Sequence, residues 1–248
     1  GMHGDAPRLV LAPLSIGDCA TTTEWAVGLA ERLQTVAIVL MDQYLGQTRT
    51  ITDPLEPIDL NLQRVTARLS SAEPYLRYQL TEDAVTPMAI PGMACCRYTG
   101  EGLEHNVKGL PSSMAHDHQA QLDKRQRKLE TNDYGDLWME HEGEGAICLL
   151  TWGSTAAVVF EAGRRLRAQG LAVQVVALRL LAPLQRHALQ PYIEDAERIL
   201  VVEQNHQAQF FHYLHAQQLL PATAESYARP GPILFRPGDI VAKLSEGR

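Results

Sequence analysis

The sequence predicts an α/β protein built from two regions with parallel sheets. Three observations carry this. An apolar run at Arg8–Ala12, an amphipathic stretch at Cys19–Leu33 and a β-branched run at Val36–Met41 spell strand, helix, strand. The same alternation returns from Ala146 onward. Between them lies a segment punctuated by Pro54, Pro57, Pro74, Pro87 and Pro91, followed by a glycine-rich loop. The length of 248 residues suits two small domains, and the boundary is expected to divide them as 1–135 and 136–248.

The elements follow in order. Arg8–Ala12 ends at Pro13 and reads as a buried strand. Ser15 or Asp18 can cap the helix that follows. Ala26, Leu29, Ala30 and Leu33 share one face of that helix, and Glu24, Glu31 and Arg32 lie elsewhere. Val36–Met41 is the second buried strand, parallel to the first. Asp42, Gln43 and Tyr44 come directly after it, at the carboxyl edge where open α/β sheets bind ligands. Two readings of them stand: they face a cofactor or a partner subunit, or Asp42 caps a turn and Tyr44 packs.

From Thr48 to Pro91 the periodicity dissolves, and this segment is expected to run irregularly over the first domain. Thr81-Glu-Asp83 reads as a cap or a turn. Tyr98–Gly109 then holds three glycines and two carboxylates. Such a composition suits an interdomain loop laid close to a ligand or partner, with Glu104, His105 and Asn106 as its candidate site residues. The His105 imidazole is the kind of group that titrates near neutral pH; its other reading is an anchor that fixes the loop by hydrogen bonds. Met114–Leu129 is expected to be a solvated helix. Its basic run Lys124–Lys128 either meets an anion or forms a solvated face. His105, His116, His118 and Asp117 invite a metal, but their spacing fits no zinc signature, and His-x-His on a helix points to different faces. No metal ligand and no catalytic residue is assigned. Asn132–Gly145, acidic and ending in glycines, reads as the linker.

In the second region, Ala146–Thr151, Leu171–Leu180 and Arg198–Val202 are buried strands. A helix follows Trp152-Gly-Ser-Thr155, capped by Ser154 or Thr155 and closed at Gly170. Further helices are expected at His187–Glu197, interrupted by Pro191, at Gln207–Leu219, and near Asp239–Leu244. Two places here could carry function. The Gly153-Ser-Thr155 turn opens a helix, where N–H groups can hold an anion, and Glu203-Gln-Asn205 ends a strand at the same edge.

Composition narrows the classes. Net charge is −7 and basic residues are scattered, which argues against nucleic acid. No apolar run is long enough to span a bilayer, and no secretory signal opens the chain. Cys19, Cys95, Cys96 and Cys148 lack metal-ligand spacing and read as reduced cytoplasmic thiols, so no iron–sulfur cluster is expected in this chain.

Six stretches taken together resemble one family: His3-Gly-Asp-Ala-Pro-Arg-Leu-Val-Leu-Ala-Pro13, Val39-Leu-Met-Asp-Gln-Tyr-Leu-Gly46, Tyr98-Thr-Gly with Leu103-Glu-His-Asn106, Asp123-Lys-Arg with Arg127-Lys-Leu129, Thr151-Trp-Gly-Ser-Thr155 and Val202-Glu-Gln-Asn205. Their order resembles the alpha subunit of 2-oxoacid:ferredoxin oxidoreductases, most nearly the 2-oxoglutarate type, and only its C-terminal part. The resemblance implies a partial pyrimidine-binding domain followed by a transketolase C-terminal-like domain. It implies thiamine diphosphate as cofactor, with magnesium and an iron–sulfur cluster held by a beta subunit that passes electrons to ferredoxin. The family's alpha subunit carries its cofactor-activating glutamate in chain that precedes the segment resembling His3–Pro13. The implied role is therefore to help form the cofactor cleft, with no activity alone. A separately encoded N-terminal piece, the beta subunit or a second copy is expected beside an exposed sheet edge at Leu9–Ala12. The stretch departs from the family at Asn106-Val-Lys108, where acidic residues are frequent. The alternative is a non-catalytic interaction protein on a degenerate enzyme fold.

Overall fold

A computed structural model describes residues 3–54, 58, 62–68 and 74–246. The chain folds as two units. The first comprises Gly1–Leu9, Glu24–Ile38 and Ile58–Asp133; the second comprises Val10–Thr23, Val39–Pro57 and Tyr134–Arg248. Strand β1 (Leu9–Leu11), helix α1 (Asp18–Leu33) and strand β2 (Ala37–Val39) contribute residues to both. Leu9 N–H donates to Val36 C=O at 3.0 Å and Leu40 N–H to Leu11 C=O at 2.7 Å, so β1 and β2 run the same way, as the sequence predicts. Ser15 Oγ accepts Asp18 N–H at 3.1 Å and is the cap of α1.

In the second unit the predicted strand Leu171–Leu180 is two strands, β5 (Val173–Leu178) and β6 (Leu180–Ala182). Arg179 separates them. Its guanidinium is buried against Asp18, at 2.9 and 3.1 Å, with Leu137 C=O and Glu140 each at 2.6 Å. Its own carbonyl accepts Ala12 N–H at 2.8 Å. The chain thereby turns, and β6 pairs antiparallel with β1, Val10 opposite Ala182 and Leu11 opposite Leu180. The sheet order is β2-β1-β6. The edge expected beside Leu9–Ala12 is therefore filled from within the chain. Arg179 hid this, because one charged residue in an apolar run gives no period to read.

The other sheet has order β3-β5-β4-β7-β8, with β3 at Met139–Glu142, β4 at Ile147–Trp152, β7 at Arg198–Glu203 and β8 at Glu225–Ala228. β4 is parallel to β5 and β7, and β7 to β8; β3 is antiparallel to β5. The predicted linker Asn132–Gly145 thus contains an edge strand. β3 and β8 are polar and half-exposed, so backbone pairing rather than an apolar face defines them. Helices α4 (Ala156–Ala168) and α7 (Pro237–Ser245) bury Val159, Ala162, Leu166, Ile240 and Leu244 in a cluster with Leu149, Val175, Leu200 and Val202. Each such side chain contributes about 1.5–3 kcal/mol. A Cβ at Gly163 would lie 2.6 Å from Val175 Cγ2, so glycine is what lets α4 lie close on β5. Helix α5 (Arg186–Glu194) continues through Pro191, with Leu189 and Ile193 buried on either side; the expected interruption is one missing N–H, not a break. Helix α6 (Gln209–Ala216) completes the second unit's larger helices.

In the first unit α1 buries Trp25, Leu29 and Leu33. Among the described residues between Thr48 and Ser113 no strand or helix forms; an isolated bridge joins Thr66 and Met88. Helix α3 (Ala115–Glu130) is not the solvated helix predicted. It buries Gln121, Lys124 and Leu129. The irregular segment leaves main-chain oxygens without ladder partners, and α3 supplies donors to them. Gln121 Nε2 reaches Tyr78 C=O at 2.9 Å, Arg127 reaches Thr81 C=O at 2.9 Å, and Lys128 reaches Gln34 C=O at 3.3 Å.

Candidate functional site

The glycine-rich loop lies wholly in the first unit. Glu104 accepts Arg125 at 2.7 and 3.2 Å, His118 Nδ1 at 2.9 Å and His105 N–H at 3.1 Å. Burial alone would raise its pKa, but these donors more than offset it and hold the carboxyl down to about 2. Asn106 Oδ1 accepts Lys108 and Leu110 N–H at 3.0 and 3.3 Å, which closes a turn whose Gly109 has φ +78°. His105 is 2% exposed and stacks on Tyr78, centroids 4.3 Å apart and planes 3° from parallel. Its Nε2 makes no hydrogen bond; Glu101 Oε1 stands 3.9 Å away. The stacked ring holds the loop.

In the second unit a cavity of about 300 Å³ sits at the carboxyl ends of β4 and β7. The chain leaves β4 for β5 on one side and later enters β7 on the other, so this is the point where strand order reverses, the preferred ligand position in open α/β sheets. Leu40, Met41 and Leu45 give it an apolar wall. Trp152 and Gln204 also line it; Trp152 Nε1 and Gln204 Oε1 are themselves buried and have no hydrogen-bond partner among the described residues. Asp42 caps helix α2 (Gln43–Gln47) by accepting Leu45 N–H at 3.0 Å, and its other oxygen accepts Ser154 Oγ. Gln43 bonds Gln47 at 3.1 Å, and Tyr44 is exposed. Ser154 and Thr155 do not cap α4 with their side chains; Thr155 Oγ1 instead donates to Trp152 C=O at 2.6 Å. Glu203, fully buried, accepts Phe210 and Phe211 N–H at 2.8 and 2.9 Å and so anchors the start of α6, leaving Gln204 to face the cavity.

Comparison with known proteins gives these local features a frame. The transketolase C-terminal domain family matches residues 137–216. The solved 2-oxoglutarate:ferredoxin oxidoreductase from Magnetococcus marinus, with 2-oxoglutarate, coenzyme A and succinyl-CoA bound, superposes with TM-score 0.84 at 33% identity, covering 98% of this chain and 43% of that one. The alpha subunit of 2-oxoacid:ferredoxin oxidoreductase 2 from Aeropyrum pernix is 29% identical over 210 residues, 82% of this chain and 32% of its own. That from Saccharolobus solfataricus is 26% identical over 219 residues, 82% of this chain and 33% of its own. This chain is similar in sequence to 2-oxoacid:ferredoxin oxidoreductase alpha subunits. It spans about a third of the length of those two alpha subunits.

The sequence-predicted residues fall into two places. Glu104, His105 and Asn106 share one turn of the first unit; Asp42, Gln43 and Tyr44 start α2 in the second. Sequence reasoning missed Arg125 and His118 as partners of Glu104, and Arg179 as a buried cation. Their partners lie far along the chain, so no spacing marks them. Trp152 and Gln204 lay inside recognised stretches, but only the cavity singles them out. Among the described residues no group of three metal-ligating side chains assembles, and no helix is long and apolar enough to cross a membrane.

Proposed function

We propose that this chain works as the C-terminal part of an alpha subunit in a 2-oxoacid:ferredoxin oxidoreductase of the 2-oxoglutarate type. What carries the reading is the likeness to the Magnetococcus enzyme, 33% identical with TM-score 0.84 over 98% of this chain. The first unit forms part of a pyrimidine-binding domain with its loop, and the second contains, within residues 136–248, a transketolase C-terminal-like domain. Because the chain spans about a third of the first alpha subunits it matches, the reaction is assigned to an assembly: 2-oxoglutarate is oxidatively decarboxylated to an acyl-CoA. A beta subunit holds the cluster that reduces ferredoxin.

The cavity in the second unit tests whether thiamine diphosphate suits this chain. Its lining, apolar at Leu40, Met41, Leu45 and Trp152 and polar at Ser154, Gln204 and Gln209, suits an aromatic heterocycle. Its lining holds no lysine or arginine, which supports the reading that a beta subunit holds the diphosphate and magnesium. When bound, the cofactor supplies the electron sink for decarboxylation. This chain's part is to position and, once a partner or cofactor covers the exposed Leu40 and Met41 beside buried Leu45, to exclude water; Asp42, Gln43 and Tyr44 form the cofactor- or partner-facing rim.

The test is co-purification with the beta subunit of the same genome, reading mass and thiamine diphosphate content together. A complex that carries cofactor and turns over 2-oxoglutarate with CoA and a dye acceptor is the expected result, with the chain inactive by itself. A cofactor-free self-dimer that ignores the beta subunit overturns the reading and leaves a non-catalytic interaction protein.

A further inference from the structure

A cavity of about 140 Å³ opens within the first unit, between the end of α1, the segment around Arg77 and Thr86, and one face of α3. Four cationic side chains line it; Arg125 is paired with Glu104, and three others have no such partner among the described residues. Arg77 donates to Gln34 Oε1 at 2.7 Å and lies over the rings of Tyr78 and Tyr98, at 5.8 and 5.7 Å. Lys124, 8% exposed, donates to Thr86 Oγ1, whose own hydrogen goes to Gln79 C=O at 2.8 Å. Lys128 donates to Gln34 C=O at 3.3 Å.

Every one of these acceptors is neutral. Among the described residues no carboxylate lies within ion-pair distance of Arg77, Lys124 or Lys128. Of the acids nearby, Glu104 is engaged by Arg125 and His118, and Asp83, which accepts Val85 N–H at 3.0 Å, acts on Lys124 without an ion pair and less strongly than burial and the neighbouring cations oppose it. Burial pushes both lysines down to about 8, and Arg77 and Arg125 add to the effect. Partly buried cations left without counter-charge are costly, whereas the same three groups around an oxyanion make charge-assisted hydrogen bonds. The neutral oxygens satisfy one donor of each lysine and leave its charge unanswered. The space is far above the roughly 15 Å³ that one water needs.

We propose that this cavity binds a phosphate group, held by Arg77, Lys124 and Lys128. The guanidinium supplies a fork and the ammonium groups two point charges, a set suited to a tetrahedral dianion. The proposal does not depend on the assembly proposed above, since all its residues belong to one unit of this chain.

Calorimetric titration of the chain with inorganic phosphate, at ionic strength held constant with sodium chloride, tests it. Saturable one-to-one binding is expected, while acetate at the same ionic strength shows none. Lys128→Met weakens phosphate roughly tenfold or more, the cost of one charged hydrogen bond, and Lys128→Arg restores most of it. Raising the pH from about 7 to about 9, roughly one unit either side of the lysine values, weakens binding as the lysines lose their protons. Phenyl phosphate binding as tightly as the free ion shows that the cavity takes the head of a larger ligand; binding of inorganic phosphate alone shows a free-ion site. Absence of saturable heat with wild-type chain overturns the proposal whatever the variants do, as does phosphate binding that survives both Lys128→Met and Arg77→Gln.

Discussion

Glu104 shows how one side chain can carry a loop. Its carboxyl takes three donors, and its folded pKa near 2 lies below its unfolded value of about 4.5. That interaction is fully present above pH 4.5 and is lost as the pH falls toward 2. Glu104→Gln is expected to cost about 1–3 kcal/mol at neutral pH in urea denaturation, and to flatten the acid limb of the stability curve. An unchanged acid limb would remove Glu104 from the account. His105 is a different case. The ring stacks, but Nε2 bonds to nothing, so His105→Phe should change stability by less than about 1 kcal/mol. A larger loss would mean that an imidazole nitrogen matters. Asp18 and Arg179 form the pair most sensitive to single removal. Arg179→Met strands a buried carboxylate and is expected to cost about 3–5 kcal/mol, with Asp18→Asn added to it recovering part. The sequence flagged Glu104 and His105 through their glycine-rich surroundings. It could not show that one is clamped and the other stacked, because Arg125, His118 and Tyr78 follow no short-range rule.

Elements were legible in proportion to their apolar content. β1, α1, β2, β4, α4 and β7 are rich in hydrophobic residues, and each lies where the sequence places it, although β2 is half-exposed and not the buried strand expected, with Val36 and Met41 open to solvent. β3 and β8 are polar. The helix α3 was visible, but its burial was not: it packs through donors aimed at carbonyls of an irregular segment, and polar burial leaves no hydrophobic stripe. Helix α1 offers a test of the opposite kind. Glycine within a helix normally costs about 1 kcal/mol relative to alanine. At Gly28, however, a Cβ would come within 2.7 Å of Leu62 Cδ1 and 2.8 Å of its Cβ. Gly28→Ala should therefore lower the melting temperature despite the better propensity. A rise would show that the irregular segment yields easily to α1.

At the scale of the molecule, the division into two α/β regions was readable, whereas the threading was not. Pattern reading cuts the chain once, yet the units alternate along it: residues 1–9, 24–38 and 58–133 in one, 10–23, 39–57 and 134–248 in the other. Propensity acts over a few residues and carries no information on which sheet a strand will join, so β6 looked like the tail of β5. Circular dichroism of a fragment beginning at Tyr134 should show a poorly folded chain, because β6 loses β1 and Arg179 loses Asp18. A fragment with full secondary structure and cooperative melting would show that the five-stranded sheet stands without those strands.

The interleaving bears on how such a protein can be rearranged. A recombination point at the obvious boundary, between Asp133 and Tyr134, does not separate two cassettes. It leaves one product with β1 paired on one side only, and the other with an arginine that keeps Glu140 but has lost Asp18. Insertions and fusions are expected to survive only where they leave all six segments on a single polypeptide, and chimaeras between relatives should be viable only when the short early segments travel with the long late one.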